Sequence, residues 1–144
     1  MIGMEILKPV IVLAGWTMVM WLWMYITRLP AMTAAKIDSK TLVGGTGQTL
    51  DAVLPAKTQW IAHNYNHLHE APTVFYAVAL VLAMIGQGDG FNATIAWAYV
   101  GLRVVHSLVQ VTSNRVIVRF AIFVLSSLAL IMLVAHAAMA LFQG

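Results

Sequence analysis

The chain has 144 residues, of which 61% are hydrophobic and only 9% are charged. So few polar side chains cannot cover a soluble domain, which excludes an ordinary soluble protein and indicates a small integral membrane protein. The absence of cysteine excludes disulfides, thiolate nucleophiles and cysteine-ligated metals, and the net charge of +3 rests on only eight Lys and Arg residues. These cations lie beside apolar segments, so they favour a role in membrane topology over nucleic-acid binding.

Apolar segments long enough to cross a bilayer predict an all-α fold, an integral membrane four-helix bundle that forms a single domain over residues 1–144. The first segment carries Trp21, Trp23 and Tyr25 near its end, as an interfacial aromatic belt does, and Arg28 and Pro30 follow it. The predicted helices cover residues 6–27, 59–85, 92–111 and 115–142.

The second predicted helix begins with a run of polar side chains at residues 63–70. On a helix, His63, Asn66, His67 and Glu70 follow an i, i+3, i+4, i+7 pattern and therefore share one face. Ionisable groups inside a membrane are costly and normally face the interior of a bundle, so this face is the first candidate for a functional site. Pro72 follows the polar run and predicts a kink there, because proline lacks an N–H and clashes with the preceding turn.

The third predicted helix carries a second polar face, made by Tyr99, Arg103, His106 and Gln110. An isolated arginine inside a membrane costs at least ~2.5 kcal/mol, so Arg103 needs an acidic partner. Glu70 is the only carboxylate well inside a predicted span, and antiparallel helices would bring the two residues to matching depths. The sequence therefore predicts an ion pair between Glu70 and Arg103.

The distribution of cations between the helix ends predicts the topology. Six Lys and Arg residues lie in or beside the first and third connections: Arg28, Lys36, Lys40, Lys57, Arg115 and Arg119. On the opposite side of the membrane there is only Lys8. By the positive-inside rule, loops 28–58 and 112–115 are cytoplasmic and both termini lie outside.

The helix count, the polar face that ends in Glu70 and the Arg103-Val104-Val105-His106 segment resemble the MAPEG superfamily, the membrane-associated proteins of eicosanoid and glutathione metabolism, in its bacterial type. The resemblance covers nearly the whole chain. It implies a homotrimer that binds glutathione between helices two and three of neighbouring subunits and takes lipophilic small molecules from the lipid bilayer. It also implies a glutathione-dependent transferase or peroxidase in which Arg103, Arg119 and His106 are catalytic.

The glutathione motif that this resemblance implies is degenerate. Its positions are occupied here by His63, Asn66, His67, Glu70, Arg103 and Gln110. Active members have arginine where this chain has His63 and Asn66, asparagine where it has His67, and often tyrosine where it has Gln110. Neutral side chains hold carboxylates less firmly than arginine does.

Two other classes of function stay open. The protein could be a non-catalytic subunit of a larger membrane complex, or a lipid- or quinone-binding module that keeps the fold without thiol chemistry. In third place, His63, His67 and Glu70, with His106 or His69, supply ligand types suited to zinc or non-haem iron. Histidines on a buried face are more often structural, so no metal ligand is assigned.

Overall fold

The computed structural model describes residues 2–37, 44 and 53–143. Over these residues the chain is all-α without strands, which confirms the predicted fold class: α1 is Leu7–Ala34, α2 is Ala56–His67, α3 is Ala71–Met84, α4 is Phe91–Val111 and α5 is Val116–Phe142. Predicted helices three and four agree with α4 and α5 to within one residue at each end. Residues 38–43 and 45–52 of the first connection, which include Lys40, lie outside the described residues.

The first helix is longer than predicted, because it continues through Arg28 and Pro30 to Ala34. Pro30 deprives the Ile26 carbonyl of its helical donor. Ile26 and Pro30 are both exposed, so water or lipid headgroups at the end of the span can donate a hydrogen bond to the Ile26 carbonyl. A proline within the last turns of a helix therefore does not have to end it.

The second predicted helix is broken rather than kinked. After α2 ends at His67, the N–H groups of His69 and Glu70 bond to the carbonyls of Asn66 and His67, in the tight i to i−3 pattern. Glu70 then leaves the helical region, with φ −93° and ψ −102°, and Pro72 stands in the first turn of α3. Pro72 has no N–H for the Leu68 carbonyl, which explains why the break falls just before it.

The core forms where one stripe of α1 meets α2, α3 and α4. Ile6, Leu13 and Met20 are fully buried and follow one another at intervals of seven residues, so they lie on one side of the helix. They share a hydrophobic cluster with Phe75 of α3 and Leu133 of α5. The outer side of α5 is lined with exposed large apolar residues, as a lipid-facing helix requires.

A backbone contact closes the end of the bundle where the chain begins. The N–H of Gly3 donates to the Ala83 carbonyl over 2.8 Å, and the N–H of Ile6 donates to the Gly88 carbonyl over 2.9 Å. Gly88 belongs to the turn between α3 and α4, where Gly86 and Gly90 adopt φ values of 77° and 66°. This turn therefore anchors the N-terminal segment.

Three helical stretches are long and apolar enough to cross a membrane: Leu7–Ala34, Ala56–Met84 across the break, and Val116–Phe142. The protein is therefore a multi-pass membrane protein. Helix α4 has 21 residues, which corresponds to about 31 Å and is sufficient for a crossing. Its polar face makes it less apolar than the three stretches named above. A fourth crossing by α4 therefore stays a prediction.

Candidate functional site

The site forms where the end of α2 meets α4 and α5. The imidazole rings of His67 and His106 stack with their centroids 4.8 Å apart and their planes 27° from parallel. The ring of Phe123 lies 6.0 Å from that of His67. Two residues from different sequence motifs are thus brought together, because the break after His67 ends α2 beside the inner face of α4.

A pocket of about 280 Å³ opens beside these rings. Four of its lining residues are polar and were all identified from the sequence: His67, His106, Gln110 and Arg119. Its apolar wall is formed by Val116, Phe120 and Phe123 of α5, which sequence reasoning missed. Their spacing was the available signal, since intervals of four and three residues place all three on one helix face, next to Arg119.

The predicted ion pair between Glu70 and Arg103 is wrong for this structure. Arg103 is only 1% exposed, and its three guanidinium nitrogens have no hydrogen-bond partner among the described residues. Glu70 instead bonds to His67, with 3.2 Å between Oε2 and Nδ1, and its side chain is 67% exposed. The helix break is the cause, because it turns Glu70 outward, whereas a continuous helix would have kept it on the inner face.

The predicted polar face of helix two is also divided by the structure. His63, Asn66 and Glu70 are exposed, and His67 is half-buried. The polar residue that points fully inward is Asn64, which is 0% exposed and has no partner for either amide atom in the described part of the chain. Asn64 lies on the same helix face as Ile61 and Leu68, both buried, and this apolar spacing was the signal that sequence reasoning overlooked.

The inner face of α4 concentrates polar atoms that the described residues leave without partners. Besides Arg103, they are the Tyr99 hydroxyl, His106 Nδ1, the Ser107 hydroxyl and Gln110 Oε1. On α5, the Nε of Arg119 is buried and unpartnered in the same sense. A buried polar group without a partner costs about 1–3 kcal/mol. Three of these residues, His106, Gln110 and Arg119, line the pocket, and unpartnered polar groups in a pocket are typical of a site that binds a polar ligand or water.

The charges around the pocket favour anions. His67 and His106 lie within electrostatic range of both Arg103 and Arg119. Glu70 is the described carboxylate within range of Arg103, and it is turned toward His67. Two guanidinium groups therefore act on this pair of imidazoles, and the acid that interacts with Arg103 and His67 is turned outward.

The third hypothesis from the sequence, a metal site, gains no support from the geometry. Within residues 2–37, 44 and 53–143, no group of three or more His, Asp or Glu side chains is placed to hold a metal ion. His69, offered as a further ligand, bonds through Nδ1 to the Tyr65 carbonyl at 2.9 Å. On α5, the Ser126 hydroxyl donates to the Phe123 carbonyl over 2.9 Å, within its own helix.

Comparison with known proteins identifies the group to which the chain belongs. A family model described as the MAPEG family matches residues 6–139. No curated protein and no solved structure was found to match. The matched stretch runs from the start of α1 almost to the end of α5 and contains every residue of the pocket. This chain is a member of the MAPEG family.

Proposed function

We propose that this protein is a glutathione-dependent transferase or peroxidase that acts on lipophilic substrates. The observation that carries the proposal is the pocket in which Arg119, His67 and His106 face an aromatic wall of Phe120 and Phe123. Its charged side suits an anionic thiol compound, and its apolar side suits a substrate that arrives from the bilayer. Membership of the family supports the same chemistry.

The residues that line the pocket suggest how a thiol would be activated there. A thiolate, not a thiol, is the nucleophile, and a guanidinium group beside it favours the ionised form. Arg119 has a buried Nε without a described partner and lines the pocket directly, so it is the residue we assign to this role. His106 lines the same pocket and would position the sulfur or exchange a proton with it.

Glutathione fits this set of residues through one of its carboxylates. The nitrogens of Arg103 have no partner among the described residues. They can donate two parallel hydrogen bonds to one carboxylate. A second carboxylate would meet His63, Asn66 and His67, which offer neutral donors. The site therefore favours anionic contact at Arg103 and weaker polar contact along α2.

Replacing Arg119 with glutamine is the direct test of this assignment. We expect turnover of glutathione with a lipophilic aryl halide or lipid hydroperoxide to fall about 100-fold, the usual loss when one stabilising donor is removed from a reacting centre. The measurement is kcat in detergent micelles. Arg115→Gln is the matched control, because it removes the same charge one turn away at an exposed position, and its kcat should change less than twofold.

The results also separate this function from the second candidate. If the unaltered protein neither binds glutathione nor turns over, the thiol chemistry is refuted. Binding of a lipid or quinone in the pocket would then favour a non-catalytic module, for which the two stacked imidazoles beside aromatic side chains are the supporting observation.

The exposed polar residues of α2 support assembly into a homotrimer. His63, Asn66 and Glu70 lie in a candidate membrane span and are exposed in the single subunit, where lipid contact would be costly. We propose that neighbouring subunits cover them, with residues 28–58 and 112–115 on the cytoplasmic side. Native mass spectrometry should give three chains per particle, and a uniform monomer with an exposed α2 face would contradict the prediction.

A further inference from the structure

A second cleft lies at the opposite end of the bundle from the proposed thiol site. It has a volume of about 530 Å³ and lies between the α3–α4 turn and the end of α5, with a lining that includes Gln87, Asp89, Phe91, Asn92, His136 and Met139. Asn92 and Gln110 stand near opposite ends of α4, and 18 residues of helix separate them by about 27 Å. The cleft is therefore separate from the thiol site.

A chain of hydrogen bonds sets the orientation and the tautomer of His136. The side-chain N–H of Asn92 donates to the Gln87 carbonyl over 2.8 Å, which turns Asn92 Oδ1 toward His136. That oxygen lies 2.6 Å from His136 Nδ1, and because an amide oxygen only accepts, Nδ1 must carry the proton. In neutral His136 the other ring nitrogen, Nε2, is then an acceptor.

The second polar group of the cleft is also an acceptor. Asp89 Oδ1 accepts a hydrogen bond from the backbone N–H of Glu5 over 3.1 Å. Because a carboxylate has two oxygens, Asp89 can accept further hydrogen bonds. Lys8, at the same end of the bundle, is paired with Glu5 at 3.0 Å. The cleft therefore lacks a described cation of its own and complements a positively charged hydrogen-bond donor.

The surroundings of the cleft complement an apolar chain. Phe91 is 63% exposed, and Met139 and Phe142 are 47% and 88% exposed at the end of α5. The ring of Phe91 lies 5.9 Å from that of His136 and can contact a cation through its face. Helix α4 also begins here without a side-chain cap, so its first N–H groups can receive a phosphate.

We propose that this cleft binds the primary ammonium group of an amphiphile, with a phosphatidylethanolamine headgroup as the occupant. The ammonium donates to Asp89 and to Nε2 of His136, the phosphate lies at the start of α4, and the acyl chains follow the exposed apolar side of α5. A quaternary choline headgroup has no N–H to donate, so it cannot make these contacts. Nothing in this assignment depends on the thiol chemistry at the other end.

The test compares lipids that differ only in the headgroup amine. The full chain is purified in detergent and titrated with phosphatidylethanolamine or phosphatidylcholine of identical acyl chains, and the bound lipid is counted by native mass spectrometry. We expect at least about fivefold greater retention of phosphatidylethanolamine, the ratio that corresponds to about 1 kcal/mol. Asp89→Asn and His136→Phe should each remove most of this preference.

The double variant Glu5→Gln, Lys8→Gln is the matched control, because it removes an acid together with its paired cation at the same end of the bundle while the backbone N–H that Asp89 accepts is kept. It should retain the preference. Equal retention of the two lipids, or the same loss in this double variant as in Asp89→Asn, would overturn the proposal. Dodecylamine serves as a second probe. If phosphatidylethanolamine binds and its binding depends on Asp89, the cleft is a lipid headgroup site. If only dodecylamine binds in an Asp89-dependent manner, the cleft is instead a site for free amines.

Discussion

Replacing Arg103 with methionine is expected to separate ligand binding from stability. Stabilisation of the protein by glutathione should disappear and turnover should fall about 100-fold, because a charge-assisted donor to the ligand is lost. The melting temperature without ligand should stay unchanged or rise. Arg103 is buried with no described partner, and an apolar side chain of similar length avoids the cost of burying an uncompensated charge.

Thermal melts with and without glutathione measure both effects of this substitution. Arg103→Lys keeps the charge but loses the planar fork, so it should retain part of the ligand stabilisation. Arg115→Met is the matched control, because it removes an exposed arginine and should change neither quantity.

A mutant cycle with Glu70→Gln decides whether the ion pair absent from this structure forms in the assembled protein. Because Glu70 bonds to His67 and not to Arg103, the two single substitutions should have additive effects on the melting temperature. A large loss in each single variant with recovery in the double variant would restore the ion pair and contradict our assignment of Arg103 to the ligand.

Replacing Gly88 with alanine is expected to destabilise the fold by about 1–3 kcal/mol, the usual cost of overpacking. A β-carbon at this position would lie 2.7 Å from a side-chain carbon of Ile6 and even closer to the carbonyl oxygen of Gly3. Backbone atoms cannot move aside as a flexible side chain does. The N-terminal segment would have to separate from the α3–α4 turn and lose its bond from Ile6 to Gly88.

Gly15→Ala is the matched control for this prediction. Gly15 lies inside α1, and an added β-carbon there meets no atom within 4 Å, so helix propensity alone should act and make the variant neutral or slightly more stable. Both variants can be compared by thermal unfolding in the same detergent. Equal melting temperatures for Gly88→Ala and Gly15→Ala would show that the two backbone segments are not in close contact in solution.

The polar residues of the proposed thiol site could be predicted one by one, but neither its apolar wall nor the grouping of the residues could. Arg103, His106 and Gln110 were recognised because polar side chains at helical spacing are costly inside an apolar segment, and the structure buries all three. His63 and Asn66 belong to an equally polar run, yet they are exposed in the subunit. Periodicity places residues on a face and does not say which partner that face meets.

The sequence by itself determined the helical class, the membrane character and the ends of α4 and α5, because length, hydropathy and glycine turns act locally along the chain. Only the tertiary structure decided that Asn64 points inward, that His67 stacks on His106 and that Glu70 turns away from Arg103. All three outcomes depend on the break between α2 and α3. Proline predicted a disturbance there, but the direction in which the chain leaves Glu70 is set by how α3 packs against the other helices, and these contacts join residues far apart in the sequence.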